Sequence, residues 1–332
     1  MEKQYQAVMQ DPIKKARDIE KADIVIGIPF YNEADTIGNV FKTVKKGLET
    51  FYPEKKGLIV CVGAPVGEKA LEVINGISSK EIFQNTETIS FLLKRKISGK
   101  GWAIRAIMEI ANLIHADLAL FSSDLLSFKE NNGIKGLSHE WVRLLIDPIK
   151  KEGFDFVFPR YNRHYFDARI PRLFITPLIS ALYGKRIAEP VAGEFGIGHR
   201  LLPTYLKDPT VWLSEAGYYG IETFLTTSAL ANNARMCEVN LGIKRHQASF
   251  GKTILTLRGI AKGIFERIVE DSDFWKEKGE ILSYLDSYGV RKEDIPPAID
   301  IDYKELMNKY RQVRIPPHSG HPFHLIPATH SI

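Results

Sequence analysis

The first half of this chain alternates short, uninterrupted apolar runs with longer segments that carry a helical stripe. Residues 24–28 are apolar without a polar interruption, the pattern of a strand covered on both faces. In residues 36–51, Ile37, Val40, Phe41, Val44 and Leu48 recur at helical spacing. Strands are expected again at 58–62, 89–93, 118–121 and 154–158, with helices at 69–77, 102–114 and 141–150 between them. Repeated strand–helix units dictate an α/β fold with a mainly parallel sheet and right-handed crossovers.

Beyond residue 160 the alternation loosens. The pattern predicts a helix over 171–182, a Gly-rich loop over 190–198 that opens a helix, a helix over 221–231 and a strand over 236–243. From 252 onward only helical patterns remain, at 254–269, 274–285 and 303–313. A Pro- and His-rich tail, 314–332, follows, and its His318, His321, His324 and His330 lack a fixed metal spacing.

Composition narrows the function classes. A net charge of +5, spread along the chain, suits anionic substrates but does not mark a nucleic-acid surface. Both cysteines, Cys61 and Cys237, fall inside expected strands, where buried reduced thiols are the rule. Residues 1–21 are polar and charged, with no apolar signal core. The longest uncharged apolar stretch, 173–183, is well short of the ~20 residues of a membrane span. These features predict a cytoplasmic protein with no transmembrane segment.

Ligands of open α/β sheets bind at the carboxyl ends of the strands, and there the chain places its chemistry. Ser122-Ser123-Asp124-Leu125 closes the strand at 118–121, where a carboxylate either holds a cation or is a solvated strand end. Pro29-Phe30-Tyr31-Asn32-Glu33 follows the first strand; Tyr31 and Glu33 suit a nucleoside, and Asn32 or Asp35 equally suits a helix cap. In Ser98-Gly99-Lys100-Gly101 the glycines allow close backbone approach to a ligand and Lys100 offers a point charge to phosphate, although the P-loop spacing is absent. A plain basic turn fits the same residues. His246 is the best partner for Asp124 in holding a divalent cation, or else a surface histidine. Glu194 and Glu222 lie beside glycines late in the sheet, and Glu222 also suits the first turn of a helix. Arg169 is either a bidentate ligand for carboxylate or phosphate or a solvated arginine.

In this order the motifs resemble those of the GT-A glycosyltransferases that make glucosyl-3-phosphoglycerate, mannosyl-3-phosphoglycerate and mannosylglycerate. The resemblance covers roughly 22–247 and rests on 29–33, Gly99-Lys100-Gly101, 122–125, Glu189-Pro190-Val191-Ala192-Gly193-Glu194, Gly220-Ile221-Glu222 and the segment ending at His246. It implies a GT-A fold over 22–250, preceded by a polar helical segment at 1–21 and followed by a helical extension at 251–313 and the tail at 314–332. It implies retaining transfer of glucose or mannose, from UDP-glucose or GDP-mannose, to glycerate or 3-phosphoglycerate. Asp124 and His246 would hold Mg²⁺ or Mn²⁺. Pro29, Tyr31, Glu33, Gly63, Lys100, Ser122 and Ser123 would line the donor, and Arg169, Gly193 and Glu194 the acceptor. Glu222 and Asp124 would be the catalytic residues. The alternatives are a lipid-phosphate or polysaccharide acceptor, or a nucleotide-sugar-binding module without turnover. The carboxy-terminal helices would cover the site or build a homodimer. Three positions depart from the family: Ser122 replaces an acid, Cys61-Val62-Gly63-Ala64 lacks one, and Pro171 stands where Thr is usual.

Overall fold

The computed structural model describes residues 1–80, 85–130, 133–162, 168, 170–246, 253–277 and 282–289. Twelve strands are present among these residues: β1 Ile24–Phe30, β2 Gly57–Gly63, β3 Thr86–Leu92, β4 Asp117–Leu120, β5 Ser127–Glu130, β6 Gly133–Gly136, β7 Phe156–Tyr161, β8 Lys185–Arg186, β9 Phe195–Ile197, β10 Met236–Gly242, β11 Ser283–Tyr284 and β12 Asp286–Tyr288. Ten α-helices accompany them: α1 Glu2–Asp18, α2 Ala34–Phe51, α3 Glu68–Lys80, α4 Lys100–Leu113, α5 Glu140–Glu152, α6 Thr176–Tyr183, α7 Leu202–Leu206, α8 Ile221–Ala231, α9 Thr253–Glu270 and α10 Ser272–Glu277.

The main sheet runs β12-β10-β7-β9-β4-β1-β2-β3. All its pairings are parallel except those of β9, which is antiparallel to both β4 and β7. Every residue of β1 and β2 is buried, because helices cover both sheet faces, and this explains their unbroken apolar sequences. The edge strand β3 is only partly buried and mixes Thr, Glu and Ser with its apolar residues. The expected stripe on α2 is the buried one, with Ile37, Val40, Phe41, Val44 and Leu48 inward. Both cysteines are buried in strands, Cys61 in β2 and Cys237 in β10. None of the described helices is long and apolar enough to cross a membrane.

Two expectations are corrected. The Gly-rich stretch 190–198 contains β9 rather than opening a helix directly; at three residues it is too short for alternation to register. Helix does not continue over 274–285: α10 ends at Glu277, and β11 and β12 follow, pairing with β8 and β10. There the partner strands, rather than local preference, decide the conformation. The β5–β6 hairpin was not expected at all. Residues 303–313 and the histidines of the tail lie outside the described residues. Met1–Ile295 gather into one compact unit. Within it α9 packs on α8, with the Arg267 guanidinium over the Phe224 ring and its Nε donating to Thr227 Oγ1 at 3.2 Å.

Candidate active site

Four segments meet at the carboxyl ends of β1, β4 and β10. The turn after β1 is closed by Glu33, whose Oε2 accepts from the Tyr31 N–H at 2.6 Å and the Asn32 N–H at 3.1 Å. The same oxygen accepts from Ser123 Oγ at 3.1 Å, and Thr36 Oγ1 donates to the Ser123 carbonyl at 2.8 Å. Glu33 therefore ties the first turn to the acidic turn after β4. Tyr31 stands exposed at the mouth, while Pro29 is buried at the end of β1. Gly63, at the end of β2, packs under the Phe30 ring: a Cβ there would lie 2.2 Å from it.

Lys100 begins α4. Its glycine neighbours allow a close approach of protein backbone. A Cβ on Gly101 would fall 1.8 Å from the Ala216 carbonyl oxygen, and one on Gly99 would fall 2.2 Å from that of Gly217. These glycines admit the backbone of the 215–217 turn. That close approach brings the α4 amino terminus against the start of α8, where Lys100 pairs with the buried Glu222. Burial alone would lower the Lys100 pKa, but Glu222, Glu194 and Asp124 together raise it above its ordinary value. The ammonium stays charged.

Gly193 completes this corner. Its φ of +88° is a left-handed backbone that glycine adopts without steric cost. A Cβ at Gly193 would lie 2.7 Å from Ser122 Oγ, 3.4 Å from Lys100 Nζ and 3.9 Å from Glu222 Oε1. Ser122, Lys100, Glu222 and Gly193 are thus immediate neighbours, although they come from four separate segments.

Glu194 follows Gly193 directly. It is fully buried; Oε1 accepts from the Ser122 N–H at 3.2 Å, and Oε2 accepts from Tyr161 Oη at 2.6 Å and from Lys244. Burial alone would raise its pKa, but Lys244, with Ser122 and Tyr161, holds it below the ordinary carboxylate value. Both oxygens of this carboxylate are thus engaged inside the protein. Lys244 and Tyr161 were not singled out by the sequence. The available signal is spacing, since Lys244 lies two residues before His246. Arg169 lies outside the described residues.

The segments that carry Asp124 and His246 meet through their backbones. Leu125 and His246 form an antiparallel bridge, and the Leu126 N–H donates to the Arg245 carbonyl at 2.9 Å. Asp124 is partly exposed and accepts no hydrogen bond from the described residues, and His246 is exposed. A partly exposed carboxylate and an exposed imidazole on neighbouring segments are residue types that suit a hard divalent cation whose other ligands are phosphate oxygens and water. Among the described residues no group of three or more His, Cys, Asp or Glu gathers to hold a metal.

No protein-family model matches the chain, and no curated protein matches its sequence. Solved structures do match its fold. One is glucosyl-3-phosphoglycerate synthase from Mycobacterium tuberculosis in complex with Mn²⁺, UDP-glucose and phosphoglyceric acid; it is 18% identical at a TM-score of 0.53, over 77% of this chain and 82% of that one. The same enzyme with phosphoglyceric acid gives 19% identity and a TM-score of 0.54 over the same shares. Its complex with Mg²⁺ and UDP gives 17% and 0.53, again over 77% and 82%. With the sheet order, the reversed β9 and the acidic turn after β4, this likeness shows that the chain has the GT-A fold.

Proposed function

We propose that this protein is a metal-dependent glycosyltransferase that moves a hexosyl group from a nucleoside-diphosphate sugar to a small anionic acceptor. The observation that carries the reading is the Leu125–His246 bridge, which brings the turn carrying Asp124 to the segment carrying His246, with Asp124 near enough to Lys100 to raise its pKa. The structures of similar fold support UDP-glucose as donor. They hold Mn²⁺ or Mg²⁺ with UDP or UDP-glucose, and phosphoglyceric acid or glycerol 3-phosphate. We take 3-phosphoglycerate or glycerate as the acceptor.

In this reading Tyr31 offers an exposed ring to the base, and Glu33 keeps its second oxygen for the nucleoside. Asp124 and His246 hold the cation, which when bound supplies positive charge opposite the leaving diphosphate. Lys100 adds a fixed positive charge on the same side. Glu222 has one oxygen on Lys100 and the other available to orient a sugar or acceptor hydroxyl. Retention, which the resemblance implies, is met when the acceptor hydroxyl attacks the face the diphosphate leaves: the new glycosidic bond forms as the anomeric carbon–phosphate oxygen bond breaks, and the hydroxyl proton passes to the leaving phosphate oxygen. The rate then comes mainly from positioning and preorganised charge.

A donor-by-acceptor matrix with product analysis tests this. UDP-glucose with 3-phosphoglycerate or glycerate and Mn²⁺ should yield UDP and a glucosylated acid. Nucleotide binding without turnover on any acceptor would instead make the chain a binding module. One observation favours a second acceptor class: Leu173, Phe265 and Val269 are exposed apolar residues, and the Phe174 and Phe265 rings lie 6.1 Å apart. Pelleting with anionic vesicles, and transfer to a lipid phosphate, would identify it.

A further inference from the structure

The Glu194–Lys244 pair is costly to bury. Lys244 keeps 8% of its side chain exposed and Glu194 none. Buried ion pairs seldom add stability over apolar residues of the same volume. This one is also fully hydrogen-bonded, and its partners are informative. Lys244 Nζ donates to the Ala192 carbonyl at 2.6 Å and sits 5.3 Å from the Tyr161 ring centroid. Glu194 accepts from the Ser122 backbone N–H at 3.2 Å. The pair therefore grips loop backbone on both sides.

The sequence positions of those grips are symmetrical. Ser122 lies two residues before Asp124, and Lys244 lies two residues before His246. The Leu125–His246 bridge closes the two arms just beyond. The ion pair and the bridge thus both tie the turn that carries Asp124 to the segment that carries His246. With Ser122 in place of an acid, the corner has two protein ligands, and its affinity depends on how well those two are held.

We propose that Glu194 and Lys244 are positioning residues that set the separation of Asp124 and His246 for a divalent cation, an inference that rests on the metal-dependent reading above. Neither residue touches the cation. Together they act as an outer support whose loss relaxes the Ser122–Asp124 turn against the Lys244–His246 arm.

The test titrates Mn²⁺ into the full chain with saturating UDP and reads free Mn²⁺ by electron paramagnetic resonance. Lys244→Met should weaken Mn²⁺ about 10- to 100-fold, as loss of outer-shell support does elsewhere. Lys244→Met leaves Glu194 buried without its counter-charge and risks unfolding. Glu194→Leu combined with Lys244→Met removes both charges at similar volume, a replacement that commonly keeps stability. The double variant, verified folded by circular dichroism, should show the same weakening. A merely structural pair would lower the melting temperature but leave Mn²⁺ affinity intact. Affinity within about twofold of the parent in a folded variant overturns the proposal. Asp124→Ala separates the two layers. If it abolishes Mn²⁺ binding while the pair variants do not, only the positioning role falls. If it too leaves Mn²⁺ binding unchanged, the metal corner itself is wrong.

Discussion

Two buried charge networks flank the candidate site, and they end on different things. Behind the site, Arg105 on α4 donates through both terminal nitrogens to Glu2 at 2.7 Å and through Nε to Glu109 at 2.8 Å. Its guanidinium lies 4.1 Å from the Tyr5 ring centroid and 5.2 Å from that of Trp102. All these contacts are with helix side chains, and they lock α1 onto α4. At the site edge, Lys244 and Glu194 instead hold the Ala192 carbonyl and the Ser122 N–H, which belong to loops. A network that ends on helix side chains fixes packing. One that ends on loop backbone fixes where a turn presents its functional group.

The contrast breaks most sharply at the ligands the loops present. Asp124→Ala or His246→Ala should lower kcat/KM for UDP-glucose by roughly 100- to 10,000-fold, the effect of losing several kcal/mol of metal-supplied stabilisation. Their melting temperatures should barely move, since both side chains face solvent. Lys100→Ala comes next. Losing a charged hydrogen-bond partner of the buried Glu222 should cost roughly 10- to 150-fold in kcat/KM. A melting temperature that falls while the rate holds would make Lys100 structural.

Arg105→Ala probes the opposite network. Glu2 is 40% exposed, so the loss should sit near the low end for a broken buried pair, about 3 kcal/mol. That corresponds to a melting temperature lower by roughly 5–10 °C. Rate at 25 °C should stay within about twofold in the folded fraction, and a larger fall would erase the distinction drawn between the networks.

The smallest effect is expected at the other end of β4. Asp117 accepts from the His199 N–H and ring Nδ1, both at 3.0 Å, and pairs with Lys150 at 3.1 Å. Burial alone would raise its pKa, but these partners hold it below the ordinary value. The stability it supplies is therefore full above the unfolded carboxylate pKa of about 3.9 and is lost as pH falls through the lower folded value. Asp117→Asn should lower the melting temperature at pH 7 by a few degrees and converge with the parent at acid pH. A gap that persists into acid would place the effect in packing. Asp117 and Asp124 bracket one strand, yet only the carboxyl end carries chemistry, as open α/β sheets require.

Much of the frame was legible because it is local. The buried runs of β1, β2, β4 and β10, the stripe of α2 and the helical patterns of α4, α5 and α8 are read from local sequence, and the acidic turn, Lys100, Glu222 and His246 stand out as charged or titratable residues next to those elements. What escaped was set by distant partners. The three-residue β9 takes its form from β4 and β7, and β12 takes its form from β10. The roles of Gly99 and Gly101 depend on the 215–217 turn packing against them.

The amino-acid order by itself determined the α/β alternation, the strand ends where charged groups collect, and the residue types suited to a cation and a diphosphate. These are properties of neighbours in sequence, set by side-chain period and turn chemistry. Tertiary structure alone decided that Glu194 is fully buried, that Lys244 is its counter-charge, and that the turn after β4 meets the segment ending at His246. Those facts join residues 50 or more positions apart, and a buried charge finds its partner through packing rather than through proximity in sequence.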